Sequence, residues 1–513
     1  MSKPVTPEDR RALIAVDLGA ESCRVSLLRW RGERAQISLV HRFDNAARET
    51  VGGLRWDLRR IEEGLDEGLR RCAAVAEEGV RSIAVDGWSV DYVYLGGNDE
   101  RGDEIGEDLG DSRPPIADPF CYRDERTVRA ERSLHERCRP ERMRELTGVH
   151  LLRINTVYQM HADALAGVRP GRQWLNLPEY ILFRWGGARV AELTNATHTQ
   201  MVDLDRPQWC AEIFRAAQID VACAPTIVLP GTVVGRLTGD LAKLPSLRDV
   251  ILIAPACHDT ASAIAGIPAD GEDWAYLSSG TWSLVGTLLD APCNAAAAAA
   301  EQFTNLRGVG NRICFHKNVN GMWLIRQCIE AWAMSGRRWT VSELVAAAEE
   351  AEQIDGMLDV DEADLLLPGR MPGRINAQRR RNGYGELDET PAGAPAFASL
   401  IFHSLAARYA SVLKRIESHT GKRLRRLIVV GGGSQNEFLN RLTREATGLE
   451  VVRGAAESST VGNFAVQLAT LEGSREPSSA PTAPEVSAWA AQLVSALEGT
   501  AQDADADTSD GAG

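Results

Sequence analysis

Apolar residues between Leu13 and Leu28 fall in two runs separated by a polar, glycine-containing stretch around Gly19. This is the pattern of two strands joined by a tight turn. After Trp56 the period changes: Leu58, Ile61, Leu65, Leu69 and Cys72 recur every three or four positions, which predicts a helix with Asp57 as its N-cap. Arg81-Ser-Ile-Ala-Val-Asp86 then reads as a short buried strand ending in an acid. Strand, helix, strand in this order is an α/β pattern. It returns in the second half, with a strand and glycine turn over 274–286 and a helix at about 397–418 carrying Ile401, Leu405, Tyr409, Val412 and Ile416. A strand follows over Leu427–Val430, and Thr340 with Glu343 makes the capping box of a further helix. The two halves look alike in architecture, with no residue-level repeat beyond the glycine turns.

A chain of 513 residues is too long for one core, so two large domains are expected. The turn-rich stretch Gly266-Ile-Pro-Ala-Asp-Gly271 is the expected seam. Asn98–Asp111, with seven acids and one Arg, and Arg475–Gly513, first Pro/Ser-rich and then acidic, read as solvated or disordered. The alanine run 295–300 reads as a surface helix or loop, and Arg379-Arg-Arg381 as a solvated loop.

Composition narrows the function classes. With 57 Lys and Arg against 71 Asp and Glu, the net charge of −14 argues against a nucleic-acid partner. A ligand such as ATP would need its charge met locally, by backbone N–H groups, a metal ion and single cations. The first residues carry no apolar leader segment and no stretch runs 18 apolar residues, so a cytoplasmic protein without a membrane partner is expected. Ten cysteines without C-x-x-C or Cys/His spacing read as buried thiols.

Chemistry concentrates at a few turns. Asp17 and Gly19–Arg24 offer successive N–H groups, with Ser22 and Arg24 as further phosphate contacts and Asp17 placed to hold a metal-bound water. Ser278-Ser-Gly-Thr-Trp-Ser283 supplies a second such turn, Thr281 being best placed for a phosphate and Trp282 reading as core packing. Asp259 in His258-Asp-Thr260 fits two roles equally: helix N-cap for Ala261 or Ser262, or base for an attacking hydroxyl with His258 and Thr260 fixing a sugar. Asp86-Gly-Trp-Ser-Val-Asp91 sits where polar side chains would bind hydroxyls, and Trp88 fits core and ligand plane alike. Gly431-Gly-Gly-Ser-Gln-Asn436 lets a flat base approach the backbone. It has neither dinucleotide-fingerprint nor P-loop spacing.

Taken together, Asp17-Leu-Gly-Ala, Asp86-Gly-Trp-Ser-Val-Asp91, Tyr122-Arg-Asp-Glu-Arg-Thr127, Asn155-Thr-Val-Tyr-Gln159, Thr194-Asn-Ala-Thr197, Cys257-His-Asp-Thr-Ala-Ser262, Leu277-Ser-Ser-Gly-Thr-Trp-Ser-Leu284 and the triple glycine resemble the rhamnulokinase branch of the FGGY carbohydrate kinases, over roughly residues 12–472. The resemblance implies an α/β fold of two actin-like (ribonuclease H-like) domains flanking a catalytic cleft. A sugar-binding domain would span 1–268, a nucleotide-binding domain 269–472, and a tail 473–513. It implies ATP, Mg²⁺ and a small sugar as ligands, with no obligate protein partner. By position, Asp259 is the implied proton acceptor, and Ser89, His258 and Thr260 the implied sugar contacts. Ala20, Glu21, Ser22, Cys23, Arg24, Thr281, Asn318, Arg326 and Gly432 are the implied ATP contacts.

Three residues depart from the pattern: Cys23 and Ser89 stand where glycine is usual, and Arg326 where glutamine is usual. Cys23 is expected to be a packed small residue rather than a redox-active thiol, while Ser89 bears on which sugar fits. The implied reaction is transfer of the γ-phosphoryl group of ATP to the 1-hydroxyl of L-rhamnulose. Kinases for L-fuculose or L-xylulose and a non-catalytic sugar sensor are the alternatives.

Overall fold

The structure is a computed structural model that describes residues 7–96, 115–168, 173–473 and 480–509, with side chains described up to residue 497. It is built on two six-stranded mixed sheets. The first uses β1 (Ala12–Leu18), β2 (Ser22–Arg31), β3 (Arg34–Asp44), β4 (Val80–Gly87), β5 (Thr232–Arg236) and β6 (Ile251–Ala254) in the order β5-β6-β4-β1-β2-β3. The second uses β7 (Trp274–Ser279), β8 (Trp282–Leu289), β9 (Thr304–Arg307), β10 (Ile313–Asn320), β11 (Arg426–Val430) and β12 (Glu450–Arg453) in the order β9-β10-β8-β7-β11-β12. In each, an antiparallel hairpin opens the half and a later strand returns parallel to its first member: β4 beside β1, β11 beside β7.

Alternation along β1 separates two cores. Ile14 and Val16 face helix α1 (Leu58–Val75), which brings Ile61, Leu65, Leu69 and Cys72 against Val25, Leu27, Ile83 and Val85. Asp57 caps α1 through the Arg60 amide, as its position before the apolar spacing predicts. Leu13 and Ala15 face the other way, onto helices formed by the end of the chain: α6 (Ser458–Glu472) and α7 (Ala483–Ser509). The second sheet is backed by α4 (Trp323–Met334) and α5 (Ala394–Thr420), whose Phe397, Ile401, Leu405, Tyr409 and Val412 pack on Leu277, Val285 and Phe315. By length and composition α5 could cross a membrane, yet these residues are buried within the protein. The capping box forms at the helix Val341–Glu350.

Between the sheets lies α3 (Asp259–Ala265), crossed by α6 at backbone contact. A Cβ on Gly462 would sit 1.8 Å from the Ser262 carbonyl oxygen, and one on Gly266 would sit 2.4 Å from the Ser458 carbonyl oxygen. Only glycine permits that approach. Polar side chains lace the same crossing: Ser262 Oγ donates to the Ser459 carbonyl and Ser458 Oγ to the Ala263 carbonyl.

Two sequence expectations are corrected. The tail reads as solvated because its end is acidic, but α7 buries Val486, Trp489, Ala490 and Leu493 against the first sheet and α6. Its apolar spacing is sparse, and the partner surface is distant in sequence. Arg379 is not in a solvated loop: it ends a helix, Met371–Arg381, and is buried, with Nε bonded to the Gly385 carbonyl and Nη1 to that of Asp355. The alanine run forms the short helix Ala296–Ala300 with Ala298 buried. The acidic segment 98–111 lies outside the described residues. Gly462→Ala should lower stability by about 1–3 kcal/mol through overpacking, more than offsetting the gain in helix propensity. Urea unfolding of the two proteins checks this, and an unchanged midpoint would show that the helices can part without cost.

Candidate active site

Three carboxylates gather at the carboxyl ends of the adjacent parallel strands β6, β4 and β1. Asp17 and Asp86 are register partners, and Asp259 opens α3 just beyond β6, beside the Gly87–His258 bridge. Open α/β sheets place their ligands at such strand ends. Asp17 and Asp86 are buried, whereas the Asp259 side chain is 38% exposed. Loss of hydration is the first cause of a raised pKa in all three, lifting Asp17 and Asp259 to about 6 and Asp86 well above its ordinary value. Mutual repulsion adds to it: Asp259 acts on Asp17, and both act on Asp86. Against them stands Arg24, with Nη1 3.6 Å from Asp17 Oδ2, itself ion-paired with Glu457.

Helix α6 supplies the neutral partners. Ser459 Oγ donates to Asp17 Oδ2 at 2.9 Å, and Asn463 Nδ2 to Asp86 Oδ2 at 2.6 Å. Asp86 Oδ1 is buried without a partner. Asp259 takes its hydrogen bonds from the backbone amide and hydroxyl of Thr260 alone among the described residues. It occupies the first helical position after His258, so the capping role for Ala261 or Ser262 is not realised. His258 is buried, and loss of hydration pushes its pKa down to about 3, leaving its Nε2 as a neutral group 3.5 Å from Asp259 Oδ1.

The two glycine turns are anchored by different devices. In the first, Asn45 ties both turn carbonyls to the protein: its amide donates to the Glu21 carbonyl at 2.9 Å and its Nδ2 to that of Gly19 at 3.1 Å. Among the described residues neither the Ala20 nor the Glu21 amide has a protein acceptor. In the second turn, the amides of Met322 and Trp323 at the start of α4 hold the carbonyls of Gly280 and Thr281 at 3.0 and 3.1 Å. The triple glycine packs on this turn, since a Cβ on Gly433 would sit 2.0 Å from Ser279 Oγ, while Gly432 faces open space. Arg326, on α4, spans the gap: Nη1 donates to Thr281 Oγ1 at 3.1 Å and to Glu21 Oε1 at 2.8 Å.

The remaining candidates divide. Ser22 and Cys23 are buried side chains that leave only their backbone to a ligand; burial raises the Cys23 thiol to about 12, as expected of a packed residue. Asn318 sits on β10 opposite Leu284 with its Oδ1 buried and unpartnered. Trp282 is 46% exposed, which corrects its reading as core, because it lies where β8 emerges at the turn. Trp88 is core: it packs on Trp56 with ring centroids 4.7 Å apart and donates to Asp91 Oδ2 at 3.1 Å. Ser89 is buried beside it and is hydrogen-bonded to His198 Nδ1, while Thr260 is half-buried.

Residues that carry no motif of their own complete the site. Asn45, Ser459 and Asn463 are polar positions in otherwise ordinary strand-end or helical sequence. Glu192, whose side chain accepts from the amides of Thr194 and Cys257 at 2.9 and 2.8 Å, fixes the segment leading to His258. Only contact across 65 residues reveals it.

The pKa shifts make a signed prediction. An acid whose folded pKa is raised stabilises the fold below its unfolded pKa, and that contribution is lost as pH rises through the folded value. The buried neutral histidines act in the opposite sense, so the informative quantity is a difference. Asp86→Asn should gain Tm relative to the parent as pH rises from 5 to 7, measured by differential scanning calorimetry. A constant difference would mean that Asp86 titrates normally.

Comparison with known proteins gives the family and the fold. Residues 12–266 match the N-terminal domain, and residues 275–471 the C-terminal domain, of the FGGY family of carbohydrate kinases. A rhamnulokinase of Enterococcus faecalis is 34% identical over 467 residues, covering 90% of this chain and 89% of that protein. A rhamnulokinase of an Enterobacter species is 34% identical over 471 residues, covering 90% of each. In fold, the chain resembles a gluconate kinase of Lactobacillus acidophilus (TM-score 0.72, 16% identity, 95% of this chain and 97% of that one). It also resembles a xylulose kinase of the same organism (TM-score 0.71, 15% identity, the same coverage). Two matched halves in order, meeting at a carboxylate cluster faced by two glycine turns, place this chain in the FGGY family of carbohydrate kinases.

Proposed function

We propose that this chain is a rhamnulokinase, transferring the γ-phosphoryl group of ATP to the 1-hydroxyl of L-rhamnulose in rhamnose catabolism. The substrate rests on the curated rhamnulokinases that are 31–34% identical over 90% of the chain. The observation that carries the mechanism is Asp259: it is the one carboxylate of the cluster with an open face, and its pKa of about 6 suits a base at neutral pH.

In this reading Asp259 accepts the proton of the sugar hydroxyl as its oxygen attacks the γ-phosphorus, while Ser89, His258 and Thr260 line the sugar. Thr260 holds the Asp259 carboxylate in place through two hydrogen bonds. The amides of Ala20 and Glu21, at the turn before β2, and the Thr281 hydroxyl donate to phosphate oxygens. The exposed backbone at Gly432 and the unpaired Asn318 Oδ1 face the rest of the nucleotide. Arg24 and Arg326 supply positive charge, exchanging Glu457 and Glu21 for phosphate oxygens. Closure about the cleft keeps water from taking the phosphoryl group.

Mg²⁺ fits the donor set. Asp86 Oδ1 is an unpartnered acceptor, three carboxylates repel one another beside one arginine, and among the described residues no three metal-ligating side chains converge for direct coordination. A cation held through water by Asp17, with Asp86 behind it, matches the preference of Mg²⁺ for retaining its hydration. When bound, it neutralises charge on the transferring phosphoryl group.

Asp259→Asn should lower kcat about 10²- to 10⁴-fold with little change in KM for ATP. For the parent, kcat/KM for the sugar should rise with pH through about 6 and level off above it, as the Asp259 carboxyl loses its proton. A coupled ADP-release assay with Mg-ATP against L-rhamnulose, L-fuculose, L-xylulose, D-xylulose and glycerol measures both effects. Retained turnover in Asp259→Asn would remove the base assignment, and turnover of several sugars alike would remove the substrate assignment. Asn45→Ala keeps the backbone bond to the Glu21 carbonyl but frees that of Gly19, and should raise KM for ATP about tenfold, with KM for the sugar unchanged.

A further inference from the structure

The short helix α2 (Leu193–His198) ends on a histidine that the reading above does not use. His198 stacks on His258, with ring centroids 4.5 Å apart and planes 28° from parallel, and its Nδ1 is hydrogen-bonded to Ser89 Oγ. Ser89 and His258 are buried, and His198 is half-buried as a residue. Both ends of this contact are braced. At the start of α2, Glu192 and Thr194 accept the amides of Cys257 and His258 at 2.8 and 3.3 Å, which locks α2 to the His258 segment. On the other side Val90, next to Ser89, has φ of 72°, a conformation that a β-branched residue adopts only when its surroundings impose it. Thr156 Oγ1 and Gln159 Nε2 hold the Val90 carbonyl at 2.8 and 3.3 Å, and the residue before Ser89, Trp88, is tied to Asp91. Strain kept at this point fixes the Ser89 hydroxyl against the imidazole.

The hydrogen-bond inventory of the pair is fixed whichever tautomer is present. If Ser89 donates to Nδ1, His198 Nε2–H remains as a donor and the serine oxygen as an acceptor. If Nδ1–H donates, the serine hydroxyl remains the donor and Nε2 the acceptor. Burial and the neighbouring His258 press the His198 pKa far below its ordinary value, so the pair carries no charge. An uncharged donor and acceptor, one at the Ser89 oxygen and the other at Nε2, match an alcohol, and match neither a carboxylate nor a methyl group.

We propose that Ser89 and His198 together form the specificity-determining wall of the sugar pocket, selecting a neutral ketose that turns a secondary hydroxyl toward them. This rests on the sugar-kinase reading of the same site. His198 is the new element, and Ser89 acts through its bond to it as much as by direct contact.

The test compares the parent protein with Ser89→Gly, Ser89→Ala and His198→Phe, the last keeping a ring to stack on His258. Mg-ATP turnover of L-rhamnulose and L-fuculose, which differ in the configuration of one hydroxyl-bearing carbon, and of L-xylulose gives kcat/KM ratios. Calorimetric titration of each ketose without nucleotide gives binding independent of turnover. The expected result is a shift of at least about fivefold in the ratio between the two epimers in Ser89→Ala and in His198→Phe, with KM for ATP within twofold of the parent. A uniform loss on all sugars, or a ratio shift below fivefold, overturns the proposal and leaves the kinase reading standing, since it would mark the pair as structural. Absence of both turnover and ketose binding in the parent overturns both readings.

Discussion

The contact of α3 with α6 at the distance only glycine allows is the constraint on which the site depends. Because the Gly462 backbone touches the Ser262 carbonyl, α6 lies flat against the ends of β1 and β4, and three of its side chains fall due in sequence along one face. Ser459 reaches Asp17, Asn463 reaches Asp86, and Gln467 reaches the Ile14 carbonyl and Ser82. A helix one methyl further away would leave two buried carboxylates without these donors. Burying an ionised acid without partners costs several kcal/mol, so the helix spacing and the chemistry of the cluster are one decision.

The two halves share a sheet plan but divide the labour. Asp17, Asp86 and Asp259 all belong to the first sheet. At the equivalent strand ends of the second sheet stand Ser279, Val430 and Arg453, which carry no negative charge. The acids gather in the first half, while the second half offers hydroxyls, amides and glycines. The overall charge of −14 is therefore compatible with an anionic substrate. The cations that face the gap, Arg24 and Arg326, are each paired with a glutamate, so they add little net field until an anion replaces that partner.

Much of this was legible in the sequence, and the limits have physical causes. Continuous apolar runs marked β1 and β4, helical spacing marked α1 and α5, and capping chemistry marked the start of α1 and of the helix at Val341. Turns with glycine and hydroxyl side chains stood out because backbone approach needs those residue types. Asn45, Asn463 and His198 did not stand out, since a single polar residue at a strand end or helix end gives no period and no spacing. Their function comes from contacts made across tens to hundreds of residues. Trp282 and Arg379 depart from their sequence reading for the same reason: an indole or a guanidinium is compatible with surface and interior alike, and only the neighbouring elements decide.

The docking of α6 and α7 on the first sheet also constrains how the chain is made. The face of β1 that carries Leu13 and Ala15 has its partners in Val461, Phe464, Leu468, Trp489 and Leu493, more than 400 residues later. The last strand of that sheet leaves the ribosome about 200 residues before α6, roughly 10–40 s earlier at 5–20 residues per second. Until α6 and α7 emerge, that face of β1 and the acids Asp17 and Asp86 lack their native cover and hydrogen-bond donors.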